Sequence, residues 1–135
     1  MSDVLTNKIQ SIQRCVRRAR EEYQGDPDSF RTDYSRQDAA ILNVIRACDG
    51  AIDLANHLIR IRKLGIPKSS AESFHLLRTE GIISPEIADQ MRRMVGFRNL
   101  AVHQYSEIEL DIVISVITKE LDQLVRFAET IRGLS

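Results

Sequence analysis

The sequence predicts an all-α protein, a four-helix up-and-down bundle with one extra short helix. Three observations carry this expectation. Apolar residues recur in steps of three and four along most of the chain, which places them on one face of a helix. Strand-like alternation is nearly absent. Serines followed by a glutamate three residues later, or directly by proline, mark several helix starts.

The first helix is predicted over about Ser2 to Tyr23. Leu5, Ile9, Ile12, Val16, Ala19 and Tyr23 form one apolar seam, with Arg14, Arg17, Arg18 and Arg20 off it. Gly25-Asp26-Pro27-Asp28 breaks this helix, and a loop is expected to about Thr32. The second helix is predicted over about Asp33 to Leu64, bent or starting late. Ile41, Leu42, Ile45, Cys48, Ile52, Ala55, Leu58 and Ile59 nearly encircle it, leaving a polar stripe of Asn43, Arg46, Gly50, Asp53, His57 and Arg60. A helix apolar on most sides is central in a bundle or lies at a subunit interface. Gly65 is the expected residue after its end, with Pro67 just beyond.

The short extra helix follows, opened by the capping box Ser69-Ser70-Ala71-Glu72 and closed by Gly81. Ser84-Pro85-Glu86 opens the next helix, which carries Ile87, Met91, Met94 and Val95 inward and is expected to end near Phe97 to Leu100. A second capping box, Ser106-Glu107-Ile108-Glu109, is expected to start the last helix. Its inner residues are Ile112, Val113, Val116, Ile117, Leu121, Leu124, Val125 and Ala128, and Gly133 ends it.

A chain of 135 residues fits one domain, residues 1–135, with room for a real core. Lys+Arg and Asp+Glu both number 19, so no global field draws in nucleic acid or membrane, and any polyanion site must be local. Cys15 and Cys48 lie on apolar faces and read as buried thiols in a reducing compartment. No run is long enough to span a membrane, and Met-Ser-Asp does not begin a signal peptide. A cytoplasmic location is expected.

The segment Arg98-Asn99-Leu100-Ala101-Val102-His103-Gln104-Tyr105 concentrates the chemistry. A guanidinium can hold a phosphate, and an imidazole moves protons near neutral pH. Together they are a minimal kit for cleaving a phosphodiester without metal. The segment is expected to be a tight link between helices. On a continuous helix Arg98 and His103 would diverge, since five residues turn roughly 500°. Either a break lets them converge, or two copies of the chain pool their pairs in one cleft.

Arg-x4-His-x-Tyr in this position resembles the HEPN superfamily motif and, more narrowly, the HepT toxins of HEPN/MNT toxin–antitoxin modules. Gln37-Asp38-Ala39-Ala40-Ile41-Leu42-Asn43, Ile52-Asp53-Leu54-Ala55-Asn56-His57, Leu64-Gly65-Ile66-Pro67 and Met94-Val95-Gly96-Phe97-Arg98-Asn99 agree, so the resemblance covers essentially the whole chain. It implies a HEPN-like bundle and a metal-independent endoribonuclease toxin acting as a homodimer, or a higher oligomer of dimers, with no cofactor. It further implies a cognate nucleotidyltransferase (MNT) antitoxin that transfers AMP to the motif tyrosine. Carried over by position, Arg98, Asn99 and His103 form the catalytic group and Tyr105 receives the AMP. The alternative is a non-catalytic HEPN subunit that binds nucleotide or RNA for its nucleotidyltransferase partner; a helical adaptor is a further rival.

Taken singly, these residues have ordinary readings: a C-cap arginine, a structural histidine, a core tyrosine with its hydroxyl at the rim. Other residues carry weaker signals. Arg46, Arg92 and Arg93 are candidates for substrate binding. Arg14, Arg17, Arg18 and Arg20 read as a solvated face, with an RNA track as a secondary reading because Glu21 and Glu22 follow. Asp49, Asp53 and His57 share helical spacing but lack a second His or Cys cluster, so a hydrogen-bonded stripe is expected rather than a metal site. His75 is expected to be exposed.

Overall fold

In the computed structural model residues 3–134 are described, and the predicted start at Ser2 lies outside them. Helix α1 (Asp3–Tyr23) buries all six predicted seam residues, together with Cys15. Its arginines at 14, 17, 18 and 20 are exposed.

The expected loop contains a helical turn, α2 (Pro27–Thr32). The Asp26 carboxylate accepts a hydrogen bond from the Ser29 N–H at 3.2 Å, with Pro27 at the first helical position. Phe30 is buried edge-on against Tyr23, with ring centroids 5.3 Å apart. Six residues are too few to show a helical period, so only the cap announced this element.

Helix α3 (Tyr34–Ile61) starts on the side chain of Asp33. Most of its apolar residues are buried, but Leu42 is exposed and Ile45 and Ile52 are half-buried. It ends earlier than predicted. Lys63 takes a left-handed φ of 56°, its N–H donates to the Arg60 carbonyl, and the Leu64 N–H donates to that of Ile59 at 3.0 Å. This Schellman closure falls on Lys63, two residues before the glycine expected to make it.

Helix α4 (Ser70–Thr79) is capped by Ser69 Oγ, which accepts from the Glu72 N–H, and closes on Gly81 at φ 73°. Phe74 lies edge-on to Phe127 at 5.3 Å and brings α4 onto the core. Helix α5 (Pro85–His103) starts on Ser84 as predicted, and Ile87, Met91, Met94 and Val95 are buried. It does not stop near Leu100. It runs through the motif to His103, held by the buried Phe97 and Ala101.

A 3-10 turn (Tyr105–Glu107) follows, then α6 (Leu110–Ser115), a π-helical stretch (Val116–Glu120) and α7 (Leu121–Arg132). The Ser106 capping box does not form: Ser106 falls in the 3-10 turn, and α6 starts at Glu109 with no side-chain cap. Phe127 and Ile131 join the predicted inner residues, whereas Ile112 is exposed.

Cross-helix pairs fix the topology. Lys8–Asp53 and the Arg36 bonds to the Glu22 and Tyr23 carbonyls run α1 and α3 in opposite directions. Gln13–Glu129 and Arg20–Asp122 do the same for α1 and α7, as Glu86–Arg126 and Arg93–Glu120 do for α5 and α7. With α3 packed against α5, the four long elements form an up-and-down ring, and α4 lies against α3 and α5. The described residues contain no strand.

Candidate active site

Because α5 is unbroken through the motif, Arg98 and His103 point roughly 140° apart around one axis and do not converge within a chain. Of the two expected arrangements, the helical break is absent.

Each end of the motif is instead tied to α3. Arg98 Nε donates to Asp49 Oδ1 at 2.8 Å, and Arg98 Nη1 donates to Asn99 Oδ1 at 3.2 Å. The Arg98 side chain remains 29% exposed. Five residues on, His103 ends α5, exposed, with no hydrogen bond to its ring among the described residues. Gln104 leaves helical geometry (φ −137°, ψ 47°) while its N–H still caps the Leu100 carbonyl at 2.8 Å. That turn swings Tyr105 back toward α3, where its phenol donates to the Asp38 carboxylate.

Partial burial of the Tyr105 ring, with the Asp38 carboxylate beside it, lifts the phenol from 10.0 to about 12. Both effects disfavour the phenolate, so Tyr105 is protonated at neutral pH.

Asp38 and Asp49 are eleven residues apart on α3, about three turns, so they share a face roughly 16 Å long. One carboxylate holds the guanidinium and the other the phenol. Between them that face shows Leu42, 45% exposed, and α5 adds Val102, 44% exposed. An apolar strip thus separates two polar anchors. Neither carboxylate was assigned to the site by the sequence. Asp49 shares helical spacing with Asp53 and His57, but the three point to different partners: Asp49 to Arg98, Asp53 to Lys8, and His57 Nδ1 to Arg60. Arginine only donates, so His57 Nδ1 accepts and its proton sits on Nε2. Among the described residues no group of three His, Cys, Asp or Glu is placed to hold a metal ion.

The candidate substrate arginines divide. Arg46 lies one turn before Asp49 and lines with it a groove between α1 and α3. Arg92 and Arg93 are on other sides of α5: Arg92 beside His75 of α4, and Arg93 paired with Glu120 at 3.8 Å. His75 is exposed, as expected. The apolar groove of about 360 Å³ that holds Gly96, Leu100, Ile112 and Val116 opens on the far side of α5 from Arg98.

The family model described as "Ribonuclease HepT-like" matches residues 12–131, which take in the whole motif and both anchoring carboxylates. The chain belongs to the HepT-like ribonuclease family. It is 43% identical to the mRNA nuclease HepT of Shewanella oneidensis over 133 residues, covering 98% of this chain and 99% of that protein. It is 32% identical to the tRNA nuclease HepT of Aphanizomenon flos-aquae over 83 residues, covering 62% of this chain and 56% of that protein. Its fold matches that of the tri-AMPylated Shewanella oneidensis HEPN toxin in complex with MNT antitoxin, with a TM-score of 0.93 and 43% identity, covering 98% and 99% of the two chains. The HepT-like fold thus accounts for the chain nearly end to end, and no helix of the described residues is long and apolar enough to cross a membrane.

Proposed function

We propose that this protein is the toxin of a toxin–antitoxin module, a cytoplasmic, metal-independent endoribonuclease acting as a homodimer of single domains spanning residues 1–135. The observation that carries this reading is the divergence of Arg98 and His103 on one continuous helix. A site that needs both groups at one phosphate is assembled from two chains. The exposed Leu42 and Val102 beside the motif supply apolar surface for such pairing.

In the proposed reaction, the 2′-oxygen of RNA attacks the adjacent phosphorus. One His103 takes the 2′-OH proton, and the other, as imidazolium, gives a proton to the departing 5′-oxygen. Arg98 neutralises charge growing on the phosphate oxygens, and Asn99 orients Arg98. The products are a 2′,3′-cyclic phosphate and a 5′-OH. DNA lacks the nucleophile and is not cut.

A nucleotidyltransferase partner silences the site by AMP transfer to Tyr105. The phenol oxygen attacks the α-phosphorus of ATP, pyrophosphate leaves, and Asp38, which already accepts the phenol's hydrogen bond, takes the proton. The AMP adds bulk and negative charge two residues from His103, repelling RNA and competing for Arg98.

The test is RNA cleavage by purified protein in EDTA. Cleavage yielding cyclic phosphate ends, lost in Arg98→Ala and in His103→Ala, supports the enzyme. No cleavage of any RNA, with AMP-sized mass additions still appearing on co-expression with the partner, identifies a binding subunit instead. Those additions vanish in Tyr105→Phe.

A further inference from the structure

We infer that the groove between α1 and α3 is an RNA-binding subsite, in which Arg14, Arg18 and Arg46 hold the phosphates flanking the one at Arg98. This inference rests on the ribonuclease reading above.

The groove, about 440 Å³, is lined by Arg14, Arg18, Arg46, Ser11, Asp49 and Asp53. Its two carboxylates are already engaged: Asp49 by Arg98 at 2.8 Å and Asp53 by Lys8 at 2.7 Å. The three arginines have no carboxylate within ion-pair distance among the described residues. Elsewhere on the same helix, Arg17 and Arg20 are each paired, with Glu21 and Asp122. Three cations without a paired carboxylate thus line this one groove, in a chain whose net charge is zero.

Helix register sharpens the point. Lys8 faces Asp53, and the Ile12 side chain meets Gly50, where an added Cβ would lie 2.9 Å from it. Continuing that antiparallel register sets Arg46 across from the stretch between Arg14 and Arg18. Guanidinium groups gathered over closely packed helices repel one another unless an anion lies among them. Arg14 and Arg18, four residues apart, stand about 6 Å apart along the helix, comparable to successive phosphates of an extended strand. Asp49 is shared between the groove and Arg98, so the track is continuous with the proposed cleavage point. A row of phosphates is the occupant this charge pattern fits.

Binding of a fluorescein-labelled single-stranded RNA is to be measured against salt, in a His103→Ala background that prevents cleavage. Each phosphate contact to a single strand contributes a slope of about 0.7 in log K against log salt. The Arg14→Gln/Arg18→Gln/Arg46→Gln variant is expected to bind at least tenfold more weakly, with the slope reduced by about 2. Arg78→Gln, an exposed cation off the groove, leaves both unchanged. Glutamine keeps nearly the same helix propensity; should the triple variant still fail to fold, Arg18→Gln alone is expected to lower the slope by about 0.7. Unchanged affinity and slope, with wild-type protein still cleaving RNA, overturn the groove and leave the ribonuclease standing. Normal RNA binding with lost capture of the nucleotidyltransferase assigns the groove to a protein partner and also overturns it. Wild-type protein that neither binds nor cuts RNA removes both proposals.

Discussion

Asp49 grips Arg98 by its Nε edge, at 2.8 Å, and leaves the outer end of the guanidinium free. Of five N–H donors, one goes to Asp49 and one to Asn99, so three remain for a ligand. The arginine is aimed before any phosphate arrives. A hydrogen bond to a charged group is worth roughly 1.5–3 kcal/mol, or about 10- to 100-fold in rate. Asp49→Ala is therefore expected to lower kcat for RNA cleavage by that factor while leaving the fold intact. Asp49→Asn, which keeps an acceptor, falls between. Arg98→Ala should cost about 10²- to 10³-fold, the usual loss on removing a charge-stabilising donor. An Asp49→Ala enzyme as active as wild type would show that Arg98 needs no such support.

The divergence of Arg98 and His103 along α5 leads to a mixing experiment. Arg98→Ala and His103→Ala proteins are each expected to retain no more than about 1% of wild-type activity. Mixed, unfolded and refolded together, they form hybrid dimers that hold one intact Arg98 and one intact His103 in the shared cleft. Cleavage should reappear well below the wild-type level, because the hybrid keeps one His103 as base and leaves protonation of the 5′-oxygen to water. Continued silence, with hybrid dimers verified by mass and a wild-type/His103→Ala hybrid active, would place both groups of a working site in one chain.

The helix starts were legible because their signals are local. Ser69 and Ser84 accept from the N–H groups three residues on, as their sequence contexts promise. The end of α5 was not legible. Gly96 and the polar Arg98-Asn99 pair suggest an ending, but a single exposed glycine costs a helix only about 1 kcal/mol. Burying Phe97 and Ala101 outweighs that and carries the helix on to His103. Ser106 fails as a cap because the chain has already turned at Gln104 to deliver Tyr105 to Asp38. The two carboxylate anchors are 49 and 67 residues from their partners, and no local pattern encodes such pairings. The π-helical stretch was not legible either: Ile117 precedes Leu121 by an ordinary four positions, although the Leu121 N–H bonds to the Val116 carbonyl five back.

Gly50 tests how closely α1 and α3 must approach. A Cβ there would stand 2.9 Å from Ile12 Cγ1, and Ile12 is wholly buried and cannot swing aside. Gly50→Ala gains up to about 1 kcal/mol of helix propensity but overpacks the interface at a cost of roughly 1–3 kcal/mol. The net expectation is a loss of stability, read as a lower denaturant midpoint. Adding Ile12→Val should recover part of it. A more stable Gly50→Ala protein would mean the helices have slack at this point. It would also weaken the register argument for the Arg14–Arg46 groove.

Tyr105 and Asp38 give a prediction in pH. The phenol is raised from 10.0 to about 12, burial first and the Asp38 carboxylate second. A folded state that binds this proton more tightly than the unfolded chain gains stability from it. That gain is complete below pH 10 and disappears as pH climbs toward about 12. Tyr105→Phe should flatten the alkaline fall in stability over this window. Tyrosinate absorbance near 295 nm, compared between wild type and Tyr105→Phe, should isolate one phenol titrating near 12. In Asp38→Asn that phenol should move down but stop short of its ordinary value, because burial remains. The same substitution removes the group placed to accept the proton during AMP transfer. Intact-mass measurement after co-expression with the nucleotidyltransferase should then show slower AMP addition, even though the phenol has become more acidic. Addition as fast as in wild type would leave Asp38 a structural anchor for Tyr105 and nothing more.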